Sequence, residues 1–184
     1  CKEYIAKGDA YQLCLTNQIV IETNNDPFAT FLKLRKTNPA PYTSYIRLGN
    51  TVLVSSSPEQ FLKLSNGVVS TKPIKGTRPR GTDVETDQLL AEELRSNEKE
   101  RAENLMIVDL IRNDMSSTAR VGSVTTPRLL ATEKHPGLYH LVSDVRSEIA
   151  EGKNVLDLLQ TMMPPGSVSG APKSSALKII RRNE

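Results

Sequence analysis

Nine residues, Lys72 to Arg80, hold four cations and two prolines in the run Thr71-Lys72-Pro73-Ile74-Lys75-Gly76-Thr77-Arg78-Pro79-Arg80-Gly81. Proline fixes φ and removes a donor, so Pro73 and Pro79 stiffen both ends. Gly76 allows a ligand or another backbone to approach closely. The spacing predicts a rigid loop, fed by the strand-like run Val68–Thr71, that holds Lys75 beside Lys72, Arg78 and Arg80. Neighbouring cations disfavour an ammonium and lower its pKa, and a lysine so shifted can act as a nucleophile. A solvated basic turn or a plain anion-binding loop has the same composition.

Four further constellations could do chemistry. Glu100 and Glu103 are three apart on a helical pattern and share a face; two carboxylates one turn apart can hold Mg²⁺, directly or through its waters. Surface pairing with Lys99 or Arg101 explains the same pattern. His140, in His140-Leu141-Val142-Ser143, lies in an apolar strand, where a core role competes with a catalytic one; His135 falls in a turn. Glu59 follows Ser57-Pro58 at what reads as a sheet rim, where a partly dry carboxyl could serve as an acid; an ordinary turn glutamate reads the same. Gly166-Ser167-Val168-Ser169-Gly170 precedes Ala171-Pro172-Lys173, and glycine-rich backbone ahead of a helix binds anions. Only two residues separate Gly170 from Lys173, so the P-loop spacing is absent and an NTPase is excluded.

The chain has 184 residues, enough for one domain with a core. Hydrophobic content of 38% fits a globular protein rather than disorder, and no apolar run approaches the roughly 20 residues of a membrane span. Formal charge is +3, much of it in the Lys72–Arg80 run. With no Trp and 4% aromatics there is little to stack on bases, which argues against a nucleic-acid module. Cys1 and Cys14 form neither a disulfide framework nor a zinc pattern, so a reducing cytoplasm is expected. The sequence opens in mid-pattern at Cys1-Lys2-Glu3-Tyr4 and reads as part of something longer.

The elements expected to position these groups run as follows. Lys2 to Lys7 reads as helix ended by Gly8. Ala10 to Glu22 reads as a long strand, through the alternation of Tyr11, Leu13 and Leu15 and the run Ile19-Val20-Ile21. Asp26-Pro27 opens a helix with Phe28, Phe31, Leu32 and Leu34 as its apolar face, ended by Asn38-Pro39. Thr43–Leu48, Thr51–Ser55, Gln60–Leu64 and Val68–Lys72 read as an antiparallel meander. Thr86–Arg95 is helical with Leu89, Leu90 and Leu94 inward. Asn97 caps a largely buried helix stopped by Asn113-Asp114. Gly122–Pro127 and Leu138–Ile149 are strands; Asn154–Met163 and Lys173–Arg182 are helices. Strands in runs with helices between them indicate an α+β fold.

Taken in order, Pro73-Ile74-Lys75-Gly76-Thr77, Glu100-Arg101-Ala102-Glu103-Asn104 through Asp114, His140-Leu141-Val142-Ser143 and Pro165-Gly166-Ser167-Val168-Ser169-Gly170-Ala171-Pro172-Lys173 resemble the chorismate-utilising enzymes, the family of anthranilate, aminodeoxychorismate, isochorismate and salicylate synthases. The resemblance covers nearly the whole chain. It implies two packed antiparallel sheets with outer helices, incomplete here because the family's catalytic domain extends beyond both ends, so that the isolated 184 residues would make little product. It implies Mg²⁺ held by Glu103 and Glu100, Lys75 as nucleophile, Glu59 as acid, and substrate contacts from Gly76, Thr77, His140, Gly170, Ala171 and Lys173. Isochorismate-forming members carry a water-activating lysine where this chain has Gln12. Anthranilate synthases usually have alanine in place of Lys75, whereas lysine there is typical of aminodeoxychorismate synthase component I, which works with a glutamine amidotransferase that supplies ammonia. A non-catalytic anion-binding or partner-docking module is the reading of another class.

Overall fold

In the computed structural model, which describes residues 1–183, the elements run α1 (Lys2–Ala6), β1 (Gln12–Leu13), α2 (Pro27–Thr37), β2 (Tyr42–Leu48), β3 (Thr51–Ser57), β4 (Gln60–Ser65), β5 (Val68–Lys72), β6 (Ile74–Pro79), α3 (Val84–Ser96), α4 (Glu98–Ser116), β7 (Thr125–His135), β8 (Leu138–Glu148), α5 (Val155–Met162), α6 (Gly166–Ser169), β9 (Gly170–Ala171) and α7 (Lys173–Asn183). This is the α+β class expected. Among the described residues no helix is long and apolar enough to cross a membrane.

The chain divides into two compact units. One, Thr16–Gln60, pairs β2 with β3 antiparallel in a two-stranded sheet, Tyr42 opposite Ser57 and Leu48 opposite Thr51. Asp26 caps α2 by accepting from the Ala29 amide, and Tyr45 joins the hairpin to the helix with its ring centroid 5.3 Å from that of Phe28 and 5.7 Å from that of Phe31.

The other unit takes Cys1–Leu15 and the chain from Phe61 onward. Its centre is β8, eleven residues long and buried almost throughout from Tyr139 to Val145. One side of β8 pairs β6 over its first half and β5 over its second; the other side pairs β7 in a hairpin. The amphipathic α4 lays Ile107, Val108, Ile111 and Met115 against Val69 and Val145 of this sheet and Leu158 and Met162 of α5. Each such side chain contributes about 1.5–3 kcal/mol when fully buried. A polar strut runs through the same interface: Asn104, fully buried, donates to Leu141 O and accepts from Ser143 Oγ, which accepts in turn from the Leu130 amide. Leu130 sits at φ +52° in a stretch of shifted register, and the Ser143 bond satisfies an amide that regular pairing would otherwise take.

Six expectations change. The strand expected over Ala10–Glu22 shrinks to Gln12–Leu13; alternation permits a strand, but only a partner ladder makes one, and the ladder offered by Gly170-Ala171 is two residues long. Ile19, Val20 and Ile21 are 76–80% exposed. Most of the basic run, Ile74–Pro79, is a strand, β6, and not a loop. Leu89 is 63% exposed, while Leu94 takes the core position. Asn113-Asp114 does not stop α4, because Asp114 stays helical and pairs with a lysine. The strand placed at Gly122–Pro127 starts at Thr125 and extends to His135, and Gly166–Ser169 is one helical turn.

Candidate active site

β6 carries the first group. Its register against β8 is regular at Thr77–His140 and Ile74–Val142 and slips between them, at Lys75-Gly76. Gly76 has φ +93°, a region that side chains rarely adopt. A Cβ there would lie 3.0 Å from Glu100 Oε2 and 3.0 Å from Leu94 Cδ1. The glycine therefore does two things: it makes the bulge, and it lets α3 and α4 press on the strand. The half-buried Lys75 sends its amine to the carbonyl of Ser167, 3.2 Å away on α6. The amine is thus aimed at the segment that leads into Gly170.

The cations expected around Lys75 are each matched by a carboxylate. Lys72 pairs with Glu133 at 2.9 Å. Arg78 holds Glu93 and, at 3.2 Å, Glu100. Arg80 grips Asp87 with both Nε and Nη2, and Asp87 also accepts from the Gly81 amide and Tyr139 Oη. Strand alternation sends neighbouring side chains to opposite faces, so the run does not form the bare positive cluster expected. Hydrogen bonding to Arg80, opposed by burial and reinforced by Tyr139, holds the Asp87 carboxyl well below the usual range.

Thr77 Oγ1 lies 3.0 Å from His140 Nδ1, and His140 is buried, with His135 edge-on at 5.1 Å. Burial first, then the neighbouring His135, push the His140 pKa down, with weaker opposition from the Gly76 backbone and Glu133. The fold thus favours neutral imidazole. A depressed pKa contributes stability that is present above the unfolded value, about 6.5, and is lost as pH falls through the folded value. We expect the difference in Tm between the wild type and His140→Gln to shrink from pH 7.5 to pH 5.5; a difference constant with pH in a thermal-melt series would contradict this.

Glu100 and Glu103 lie on α4 as the spacing requires. Glu100 is 17% exposed and bonded to Arg78; Glu103 is 36% exposed with Lys99 Nζ at 3.6 Å. Among the described residues no three His, Cys, Asp or Glu side chains gather as a metal site. Two hard carboxylates still fit Mg²⁺, which is commonly bound by one or two carboxylates with waters and substrate oxygens completing the shell.

At the third wall, β1 and β9 pair, Gln12 with Ala171 and Leu13 with Gly170. The Tyr11 amide donates to Ala171 O at 2.7 Å. Gln12 Oε1 is buried and has no hydrogen-bond partner, an acceptor placed for a donor that the chain does not supply. Lys173 is turned to other work: its amine pairs with Asp114 and donates to Thr161 O at 3.1 Å, tying α7 to α4 and α5. Burial raises the Asp114 pKa, opposed by Lys173. Glu59 lies in the other unit, half-buried between β3 and β4, with its amide donating to Ser57 Oγ at 3.3 Å. Sequence reasoning missed the Arg78–Glu93 pair, Asp114 as the partner of Lys173, and the Asn104–Ser143 strut. Only Arg78, two residues beyond Gly76 on one strand, carried a local signal.

A strand with a glycine bulge, a lysine aimed at a one-turn helix, and a carboxylate-bearing helix packed on that bulge thus come together in the larger unit. The chain matches the model of the chorismate binding enzyme family over residues 1–184, and it belongs to that family. It is 46% identical over 182 residues to anthranilate synthase component 1 of Thermus thermophilus, covering 99% of this chain and 39% of that one. It is 41% identical over 179 residues to aminodeoxychorismate synthase component 1 of Escherichia coli, covering 97% of this chain and 40% of that one. Its backbone superposes on the crystal structure of anthranilate synthase component I from Streptococcus pneumoniae with a TM-score of 0.89 at 34% identity, covering 100% of this chain and 40% of that one. The chain therefore spans well under half the length of these relatives.

Proposed function

We propose that this chain is part of an aminodeoxychorismate synthase component I, which replaces the C4 hydroxyl of chorismate with an amino group for 4-aminobenzoate and folate biosynthesis. The observation that carries the reading is Lys75, whose amine reaches from the bulge to the Ser167 carbonyl; by the family resemblance it stands where anthranilate synthases usually have alanine. Relatives of both kinds match at similar identity, so overall likeness does not choose between them and the reading rests on this position.

In the proposed reaction the Lys75 amine, after giving up a proton, forms a bond to ring C2. Both conjugated ring double bonds shift, C1=C2 to C6=C1 and C5=C6 to C4=C5, the C4–O bond breaks, and the hydroxyl departs as water after taking a proton, a role that the resemblance gives to Glu59. Ammonia then forms the C4–N bond while the C2–N bond to Lys75 breaks, and the lysine is regenerated. Thr77, His140 and the Gly170-Ala171 backbone contact substrate oxygens. The orphan acceptor of Gln12 suits an N–H donor such as the incoming ammonia; an amide cannot remove a proton from water, so hydroxylation is disfavoured. Glu100 and Glu103 would hold Mg²⁺, which when bound supplies positive charge for the ring carboxylate. The ammonia would come from a glutamine amidotransferase partner.

The test is mass spectrometry of the product made by the full-length protein from chorismate, ammonium and Mg²⁺. A product that keeps the enolpyruvyl group is expected. Anthranilate, which lacks it, would assign the protein to anthranilate synthase component I instead. No amination at all would support the non-catalytic reading.

A further inference from the structure

We propose that Arg78 and Glu93 act as a positioning pair that fixes the Glu100 carboxylate for a divalent cation, an inference that rests on the reading of Glu100 as a cation-binding group. Arg78 leaves β6 directly after Thr77. Its Nε and Nη2 take both carboxylate oxygens of Glu93 on α3, the second at 2.9 Å. Its Nη1 donates to Glu100 Oε1 at 3.2 Å and to its own strand at Thr77 O, 2.8 Å. One guanidinium thus spans α3, α4 and β6. The other oxygen, Glu100 Oε2, lies 3.0 Å from where a Cβ on Gly76 would stand. One oxygen of Glu100 is therefore bonded and the other lies close to the bulge, so its side chain is oriented before any ligand arrives.

Charge decides why this helps rather than hinders a cation. A lone guanidinium beside Glu100 would repel a divalent ion. Glu93 takes two of the guanidinium's N–H groups and cancels its charge, so Glu100 receives an oriented N–H from a neutral pair. Burial grades the same way: Glu93 is 49% exposed, Arg78 22% and Glu100 17%. A carboxylate has about four lone-pair sites, and Arg78 occupies one. Hydrogen bonds to ligating carboxylates orient them, and their loss typically weakens metal binding about 10–100-fold. A lysine could not do this, because it lacks the planar fork that reaches two carboxylates at once.

The experiment is Mn²⁺ binding by the full-length protein, read from the electron paramagnetic resonance signal of the free ion, beside thermal unfolding. Arg78→Gln is expected to weaken Mn²⁺ affinity about 10-fold. Glu93→Gln should weaken it less, and the double variant should be no weaker than Arg78→Gln, because Glu93 acts through Arg78. A lowered Tm with unchanged affinity would reduce the pair to a tie between α3 and the strand, and a tighter affinity would make it a competitor; either overturns the proposal. Should Arg78→Gln fail to fold, Glu93→Gln at the half-exposed end decides it, and wild-type affinity there overturns the proposal too. Glu100→Gln with wild-type Mn²⁺ affinity would instead overturn the cation reading itself, an outcome distinct from the others.

Discussion

Lys75→Ala in the full-length protein is expected to lower kcat by about 10³-fold or more while leaving chorismate affinity within a few fold, a loss of at least ~4 kcal/mol of transition-state stabilisation. The side chain forms a bond during the proposed reaction, so its effect falls on turnover rather than on ground-state binding. Folding should be little changed, because the amine's one hydrogen bond is to a backbone carbonyl in a partly buried place, and such a bond is worth about 1 kcal/mol. Single-turnover kinetics with an equilibrium binding measurement separate the two quantities. Turnover at the wild-type rate would remove Lys75 as nucleophile. An equal loss in affinity and no loss in kcat would make it a binding group instead.

Gly170→Ala is expected to destabilise the larger unit by at least about 2 kcal/mol and to remove activity with it. Gly170 has φ +145° and ψ −177°, a region nearly exclusive to glycine whose occupation by another residue costs about 1–3 kcal/mol. A Cβ would also lie 2.3 Å from Gln12 O and 3.1 Å from Ala176 Cβ. The first neighbour is backbone and cannot rotate away. The two-residue ladder between β1 and β9 would open, and with it the wall that places Gln12 and Ala171. Gly152→Ala is the control, because at φ +76° its Cβ would meet nothing within 4 Å. Chemical denaturation of both variants gives the comparison, and equal stabilities would show that the close approach carries no weight.

Much of the frame was legible from local signals. Asp26-Pro27 and Asn97 mark helix starts because capping is a property of a few adjacent residues. The antiparallel pairing of Thr43–Leu48 with Thr51–Ser55 was readable for the same reason. What failed was whatever a partner decides. Ala10–Glu22 alternates like a strand, yet beyond Leu13 no ladder meets it among the described residues. Leu89, Leu90 and Leu94 looked alike as inward positions, and only the packing of α3 chose Leu94.

By its residue order alone, the sequence determined the family, the α+β class, Lys75 within its proline-bounded run, and Glu100 and Glu103 on one helical face, because motif order and helical spacing are properties of the chain itself. The tertiary structure decided what surrounds them. It turned the basic run into a bulged strand, matched Lys72, Arg78 and Arg80 with carboxylates 7 to 61 residues away, sent Lys173 to Asp114, and left the Gln12 acceptor unpaired beside Gly170-Ala171. The physical reason is that a charge's state and a side chain's direction depend on neighbours brought together by folding, and no local pattern records which distant residue arrives.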